Sequence, residues 1–269
     1  MIDRKSFLAY CDKGEGISLH NHTRLSDGAT DAETMCRAAK AAGLRVFGLS
    51  DHYVVHPKSE LNPVSWCIGT FPVTDYCAEM ARLKKELNDA DFTILTGLEV
   101  DFFAENVSEV LAELEKYPLD YLIGSVHYSG TFPIDHDISD WEVLSEAEAD
   151  GICRTYWEKL RLAAACGRFT FLGHLDLPKK FGQLPDPAAY WPAAERVLDA
   201  AAASGTPIEL NTAGWYKPCA EQYPALELLK SAKRRNIPVV ISADAHCPKD
   251  VARGFPEAKE ALRKAGWVF

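Results

Sequence analysis

The sequence contains no apolar run long enough to span a bilayer, and its opening stretch, MIDRKSFLAY, is short and broken by charge. Both absences argue against a membrane or secreted protein and lead us to expect a cytoplasmic one. None of the eight cysteines (Cys11, Cys36, Cys67, Cys77, Cys153, Cys166, Cys219 and Cys247) forms a Cys-x-x-Cys pair. Scattered through a chain this long, they read as reduced, mostly buried thiols, which excludes a disulfide framework and a zinc knuckle. Cys247 follows His246 directly and could lie near a site, although packing is the reading we favour. Positive charge is in deficit, 29 Lys and Arg against 39 Asp and Glu for a net −10, which argues against a nucleic-acid groove. No glycine-rich phosphate loop or dinucleotide fingerprint opens a helix, and no Gly-x-Ser-x-Gly elbow offers a serine nucleophile. Internal repeats and low-complexity segments are absent as well.

What is present fits one large α/β domain spanning residues 1–269, with 47% apolar and 25% charged residues. Short β-branched runs predict strands near 16–20, 45–50, 93–99, 120–126, 169–174, 206–211 and 237–242. Helical patterns lie between and after them, near 31–42, 74–89, 107–115, 145–166, 187–204, 221–235 and 256–265. Thr30 with Glu33, and Ser145 with Glu148, have capping-box spacing, and Gly43 is placed to stop the first helix. Asp186-Pro187 reads as a cap with proline at the first helical position, while Pro192 predicts a kink or break. Strands alternating with helices imply right-handed βαβ units and a mostly parallel sheet. Seven units suggest an irregular, TIM-like (β/α)7 barrel, with a doubly wound sheet as the alternative. The barrel is preferred because six of the seven strands lead into a candidate ligand, as they do when a closed rim gathers a site. Two longer insertions, 53–73 and 128–144, follow the second and fourth strands and read as substrate-enclosing loops.

The chemistry-bearing residues stand at those strand ends. His20 and His22, one residue apart, point to one side of an extended chain and form half of a divalent-metal site, and Asp244 and His246 repeat the pattern. Glu99 closes its strand and could bridge two metals or make a salt bridge at a helix start. His127 and His174 each end a strand, as ligands or as aromatic-sized core residues. Asp27, in Leu-Ser-Asp-Gly, is a turn residue or a ligand. Of Asp51-His52, His52 reads as the ligand and Asp51 as its hydrogen-bond partner or a proton relay. His56 and His136, in the insertions, are candidates for substrate contact or proton transfer. For phosphate the loops offer Lys179, Lys180, Lys217 and Arg253, each also readable as solvated surface charge, and Asn211 is placed to orient water or substrate.

The ordered set His-x-His, Ser-Asp-Gly, Ser-Asp-His, strand-end Glu, Ser-Val-His, Gly-His-x-Asp and Asp-x-His resembles the polymerase-and-histidinol-phosphatase (PHP) family of metal-dependent phosphoesterases, from about residue 17 to residue 255. It looks closest to the histidinol-phosphate phosphatase branch, on stretches such as Phe132-Pro133-Ile134-Asp135 and Glu209-Leu210-Asn211-Thr212. The resemblance implies a distorted (β/α)7 barrel with three zinc, manganese or iron ions. His20, His22, Glu99 and Asp244 would hold one ion. Glu99 would bridge to a second completed by His127 and His174, and Asp27, His52 and His246 would hold the third. Three divalent ions on three carboxylates leave a local charge of about +3, which suits a phosphate ester even on an acidic protein. The implied activity is hydrolysis of L-histidinol phosphate, with Asp51, His56 or a metal-bound water available to protonate the departing alkoxide. Other small phosphate esters, a non-catalytic accessory module and an amidohydrolase-like enzyme are the alternatives. One departure is Gly214-Trp215-Tyr216-Lys217, where that branch tends to carry Gly-Leu-Arg-Lys. Lys217 supplies charge there but not a bidentate fork.

Overall fold

The computed structural model describes residues 7, 16–61, 72–182 and 187–268. In chain order the strands are β1 (Ile17–Ser18), β2 (Val46–Leu49), β3 (His52–Tyr53), β4 (Thr93–Asp101), β5 (Tyr121–Ser125), β6 (Tyr128–Ser129), β7 (Phe132–Pro133), β8 (Phe171–Leu172), β9 (Ile208–Asn211) and β10 (Val239–Ser242). The helices are α1 (Ala32–Ala41), α2 (Val73–Leu87), α3 (Val107–Leu114), α4 (Ile138–Glu142), α5 (Glu146–Cys166), α6 (Trp191–Ser204), α7 (Leu226–Arg234) and α8 (Phe255–Lys264). Seven strands pair in parallel in the order β1-β2-β4-β5-β8-β9-β10, with β3 added beside β4. Between β10 and β1 the ladder is replaced by a parallel bridge, Asn21 to Ala245, in which His22 N–H donates to Ala245 O at 2.9 Å. The result is a nearly closed, distorted TIM-like barrel whose seam is tied at the rim, where His20, His22 and His246 lie.

Alternation along the strands divides the interior into two levels. Phe7, Leu19, Val46, Leu95, Tyr121, Ile123, Phe171 and Val240 form a buried apolar floor inside the barrel. Tyr121 fills its centre and donates its hydroxyl to Leu19 O at 2.7 Å. Gly48 and Gly97 make that possible, since a Cβ at either would come within 2.2 Å of Tyr121. Above the floor the inward positions turn polar, with Glu99 and Asp101 following Gly97 on β4, and Glu209 and Asn211 on β9. Outward residues such as Phe47, Ile94, Leu98 and Leu122 pack against Met35, Tyr76, Met80, Tyr156 and Leu160 of the helices, each fully buried large side chain contributing about 1.5–3 kcal/mol.

Several local expectations are corrected. Asp31, not Thr30, caps α1 by accepting from Thr34 N at 2.8 Å, and Thr30 Oγ1 has no hydrogen-bond partner. The stretch 187–204 divides into a 3-10 turn (Pro187–Tyr190) and α6, so Pro192 falls in a first helical turn, where its missing N–H costs nothing. Asp186 lies outside the described residues. Residues 221–225 precede α7 rather than opening it, because Tyr223 bridges back to Asn211. β4 continues past Glu99 to Asp101, since β3 pairs with it on one side (His52 with Glu99) and β5 on the other. Both insertions carry elements of their own. Residues 128–144 hold the β6-β7 hairpin and α4, the latter started by a capping box between Asp137 and Asp140. Residues 53–61 hold a 3-10 turn at Ser59–Leu61, and 62–71 of that insertion lie outside the described residues. Ser145 and Glu148 cap α5 as the spacing predicts, and Gly167 closes it in the left-handed region. All six described cysteines are free; Cys11 and Cys67 lie outside the described residues. Among the described residues no helix is long and apolar enough to cross a membrane.

Candidate metal centre

Six imidazoles and three carboxylates meet at the C-terminal rim of the barrel: His20, His22, His52, His127, His174 and His246 with Asp27, Glu99 and Asp244. Glu99 is the hub. Its Oε2 lies 3.1 Å from His20 Nε2 and 2.9 Å from His52 Nδ1, and its Oε1 lies 2.9 Å from His174 Nε2 and 3.4 Å from His127 Nε2. Asp244 Oδ1 is 3.2 Å from His22 Nε2, and Asp27 Oδ2 is 3.0 Å from His246 Nε2 and 3.6 Å from His52 Nε2. Among the described residues, four groups of ligand atoms are close enough to share an ion: His22, Asp27, His52 and His246; His20, Glu99 and His174; His20, His22 and Asp244; His52, Glu99 and His127. Against the ligand sets implied by the resemblance, His22 also approaches the group around Asp27, and His52 also approaches the group around Glu99.

The rings are oriented from behind. His20 Nδ1 meets Glu209 Oε1 at 2.8 Å, His127 Nδ1 meets Asp101 Oδ2 at 3.1 Å, and His246 Nδ1 meets Asp244 O at 3.0 Å. A proton held on each Nδ1 by these acceptors leaves Nε2 as a lone pair facing the cluster. His127 Nε2 then faces His174 Nε2 at 3.3 Å with Glu99 Oε1 beside both. Imidazole nitrogens and carboxylate oxygens converging in a buried site suit a cation. His20 Nε2, both nitrogens of His22 and Glu99 Oε2 are buried without a hydrogen-bond partner, a cost that coordination would remove. Nitrogen and oxygen donors in this mixture suit a divalent transition metal.

The same groups also shift one another's protonation. Burial alone would lower the histidine pKa values, but at His20 the carboxylates of Glu99, Glu209 and Asp244 outweigh it and raise the value well above normal. At His127 burial is overcome by Asp101 and Glu99, and the pKa rises to about 9. His22 is pushed down, by burial and then by its neighbours His246 and His52. Burial would raise Glu99 and Asp244, yet the surrounding imidazoles hold both well below the carboxylate range. Asp244 adopts a left-handed φ of 51°, the kind of local strain that collects at functional sites.

Other residues singled out from sequence fall into two groups. Lys180 and Lys217 line the cavity of about 200 Å³ over the cluster. Lys180 donates to Asp135 Oδ2 at 3.0 Å, and this pair also lines an adjoining cavity of about 620 Å³. His136, on the rim of that cavity, pairs with Asp140 at 2.9 Å. The remainder are used by the fold. Asp51 accepts from Thr23 N at 2.7 Å and Ser26 Oγ at 2.6 Å, so it shapes the loop that carries Asp27 instead of facing the cluster. His56 contacts Gly130 O through Nε2 at 3.0 Å and Lys58 N through Nδ1 at 3.0 Å, joining the two insertions. Lys179 is buried, with Nζ at 2.7 Å from Glu221 and 2.9 Å from Asp176. Asn211 Nδ2 contacts Asp244 Oδ2 at 3.0 Å and thereby orients a carboxylate. Arg253 pairs with Asp250 at 2.9 Å and lies over the Tyr216 ring at 4.1 Å. Sequence reasoning did not assign Asp101, Glu209 or Asp135. The first two were legible from strand parity, two residues after Glu99 and two before Asn211.

Fold and site together define a metal-binding hydrolase barrel whose candidate ligands come from nearly every strand end. The PHP domain model matches residues 18–213, and the chain belongs to the PHP-domain family. It is 36% identical to a protein of Deinococcus radiodurans named probable histidinol-phosphatase, over 92% of each chain. It is 30% identical to the histidinol-phosphatase of Bacillus subtilis, over 67% of this chain and 73% of that one. Its fold superimposes with a TM-score of 0.77 on the histidinol phosphate phosphatase of Lactococcus lactis solved with zinc, L-histidinol and phosphate, at 21% identity over 93% and 94% of the two chains.

Proposed function

We propose that this chain is a cytoplasmic, single-domain phosphomonoesterase that hydrolyses L-histidinol phosphate to L-histidinol and phosphate, using three ions of zinc, manganese or iron. The observation that carries the reading is the convergence of buried imidazole lone pairs and carboxylate oxygens around Glu99. The relatives at 36% and 30% identity named as histidinol-phosphatases support the substrate, and the free cysteines fit a reducing compartment. His20, His22, Glu99 and Asp244 would hold one ion, Glu99, His127 and His174 a second, and Asp27, His52 and His246 the third. Bound there, divalent ions lower the pKa of water into the neutral range and offset the charge of phosphoryl oxygens. The chain's own residues do the positioning. Glu209 and Asp101 fix the rings, Asn211 fixes Asp244, and the fold excludes water from below through the Tyr121 floor. Lys180 and Lys217 stand at the cavity wall, where an ammonium offsets charge on non-bridging oxygens.

The test is phosphate release by metal-reconstituted protein from L-histidinol phosphate, beside sugar phosphates, nucleotides and cyclic phosphodiesters. The expected result is a kcat/KM for histidinol phosphate roughly a hundredfold above every competitor, about 2.7 kcal/mol of discrimination. A preferred ester of another kind would move the substrate assignment to the Trp215-Tyr216 turn and the two insertions. Turnover of none of them would remove the phosphatase reading.

A further inference from the structure

Among the described residues, five line both the cavity over the metal centre and the wider one beside it: Asp27, His52, His127, Asp135 and Lys180. The first three belong to metal-ligand groups, which leaves Asp135 and Lys180 at the junction. If phosphate occupies the narrow cavity, the alcohol portion of the ester extends through that junction into the wide one. A carboxylate there repels a dianionic phosphate unless a cation stands beside it. Lys180 is such a cation, but the carboxylate is not needed to hold it. Lys180 Nζ already donates to the Asp135 backbone carbonyl at 2.5 Å, a contact any residue at 135 would offer, and reaches Oδ2 at 3.0 Å. The Asp135 side chain is partly open, 30% exposed, so one oxygen can meet a ligand while Lys180 turns toward phosphate.

We propose that Asp135 receives an ammonium group of the substrate, making this a site for phosphate monoesters of amino alcohols. The proposal deepens the phosphatase reading and rests on it. L-histidinol phosphate belongs to the class, with its amine on the carbon next to the one that bears the ester oxygen. Lys180 serves the phosphate whatever the alcohol, whereas Asp135 acts only when the alcohol carries a cation. The two halves of one ion pair therefore have separable effects on specificity.

The experiment compares L-histidinol phosphate with its deamino analogue, 3-(imidazol-4-yl)propyl phosphate, using metal-loaded wild type, Asp135→Asn and Lys180→Met. For Asp135→Asn the ratio of kcat/KM between amino and deamino esters should fall about 30-fold, the lower end of what losing one partner of a desolvated charge pair costs. Most of the fall should lie in KM. Lys180→Met should weaken both esters by similar factors and leave the ratio within about threefold of wild type. An Asp135→Asn variant that loses equally on both esters, or on neither, would overturn the proposal. Should that variant fail to fold, product inhibition of wild type decides instead. L-histidinol should inhibit at least about tenfold more strongly than the deamino alcohol, and equal inhibition would overturn the proposal. Wild-type turnover of neither ester would strike the phosphatase reading itself, while equal turnover of both would leave that reading in place and reject this one.

Discussion

Glu209→Gln is a change of one atom, and its consequences can be worked out from the contacts. The side chain is fully buried on β9. Its Oε1 accepts a hydrogen bond from His20 Nδ1 at 2.8 Å, and its Oε2 accepts from His174 N at 2.8 Å and Asn211 Nδ2 at 3.1 Å. Every partner is a donor, whereas an amide presents one oxygen and one NH2. If the NH2 points to His174 and Asn211, two buried donors face a donor, at a cost of about 1–3 kcal/mol. If it points to His20, the ring must shift its proton to Nε2, the nitrogen 3.1 Å from Glu99 that is needed as a lone pair. Either way His20 becomes a poorer ligand. Metal affinity should fall about 10–100-fold, or about 1.4–2.7 kcal/mol, with Tm lowered by roughly 2–10 °C. Chelator titration of loaded protein, with elemental analysis of what remains bound and a thermal melt of the metal-free form, measures both. A variant that holds its metals against the same chelator concentration as wild type, and melts at the same temperature, would refute the argument that Glu209 sets the protonation state of His20.

Three further expectations follow from neighbouring contacts. Glu99→Ala removes the carboxylate shared by His20, His52, His127 and His174 and should lose one or two ions and all turnover; full metal occupancy with near-normal activity would sink the bridging role. Gly97→Ala drives a Cβ to 2.2 Å from the Tyr121 ring, and since that ring is pinned to Leu19 the floor must deform, costing about 1–3 kcal/mol in denaturant unfolding. An unchanged midpoint would mean that Tyr121 is freer to move than its hydrogen bonds imply. Burial pushes the Cys36 thiol up to about 12 and Cys153 to about 11, so near pH 8 both stay almost wholly protonated. Neither should react with a thiol-exchange reagent until the protein is unfolded, as peptide mapping would show.

The barrel was legible because its two signals repeat. Runs such as Val46–Leu49 and Tyr121–Ser125 recur between helices at crossover spacing, and each leads into a residue useless to a core. The hairpin and α4 inside 128–144 were not legible as structure, although the Asp137-x-x-Asp140 capping box of α4 was present. Length and the density of aromatic and polar groups made that segment read as loop. The cap of α1 was misplaced by one residue for a similar reason. Thr30 and Asp31 can both cap, and only the backbone, extended at Asp31, decides between them.

Among the residues with chemistry, those that failed to join the cluster share a cause. Asp51, His56 and Lys179 were chosen because strand ends and βα loops carry them to the rim. Position at a rim gives access, but the rim also has a backbone whose own polar groups must be satisfied. Asp51 answers the N–H of Thr23, His56 ties two insertions together, and Lys179 offsets the burial of Asp176. Position at a strand end does not separate a carboxylate spent on a loop from one left for a metal, because the two differ in what lies opposite after folding. Side-chain parity separates them better. Glu99 and Asp101, and Glu209 and Asn211, lie two apart on single strands, so that when one of a pair faces inward the other must. In one pair Glu99 is the hub of the cluster while Asp101 holds His127, and in the other Glu209 holds His20 while Asn211 holds Asp244.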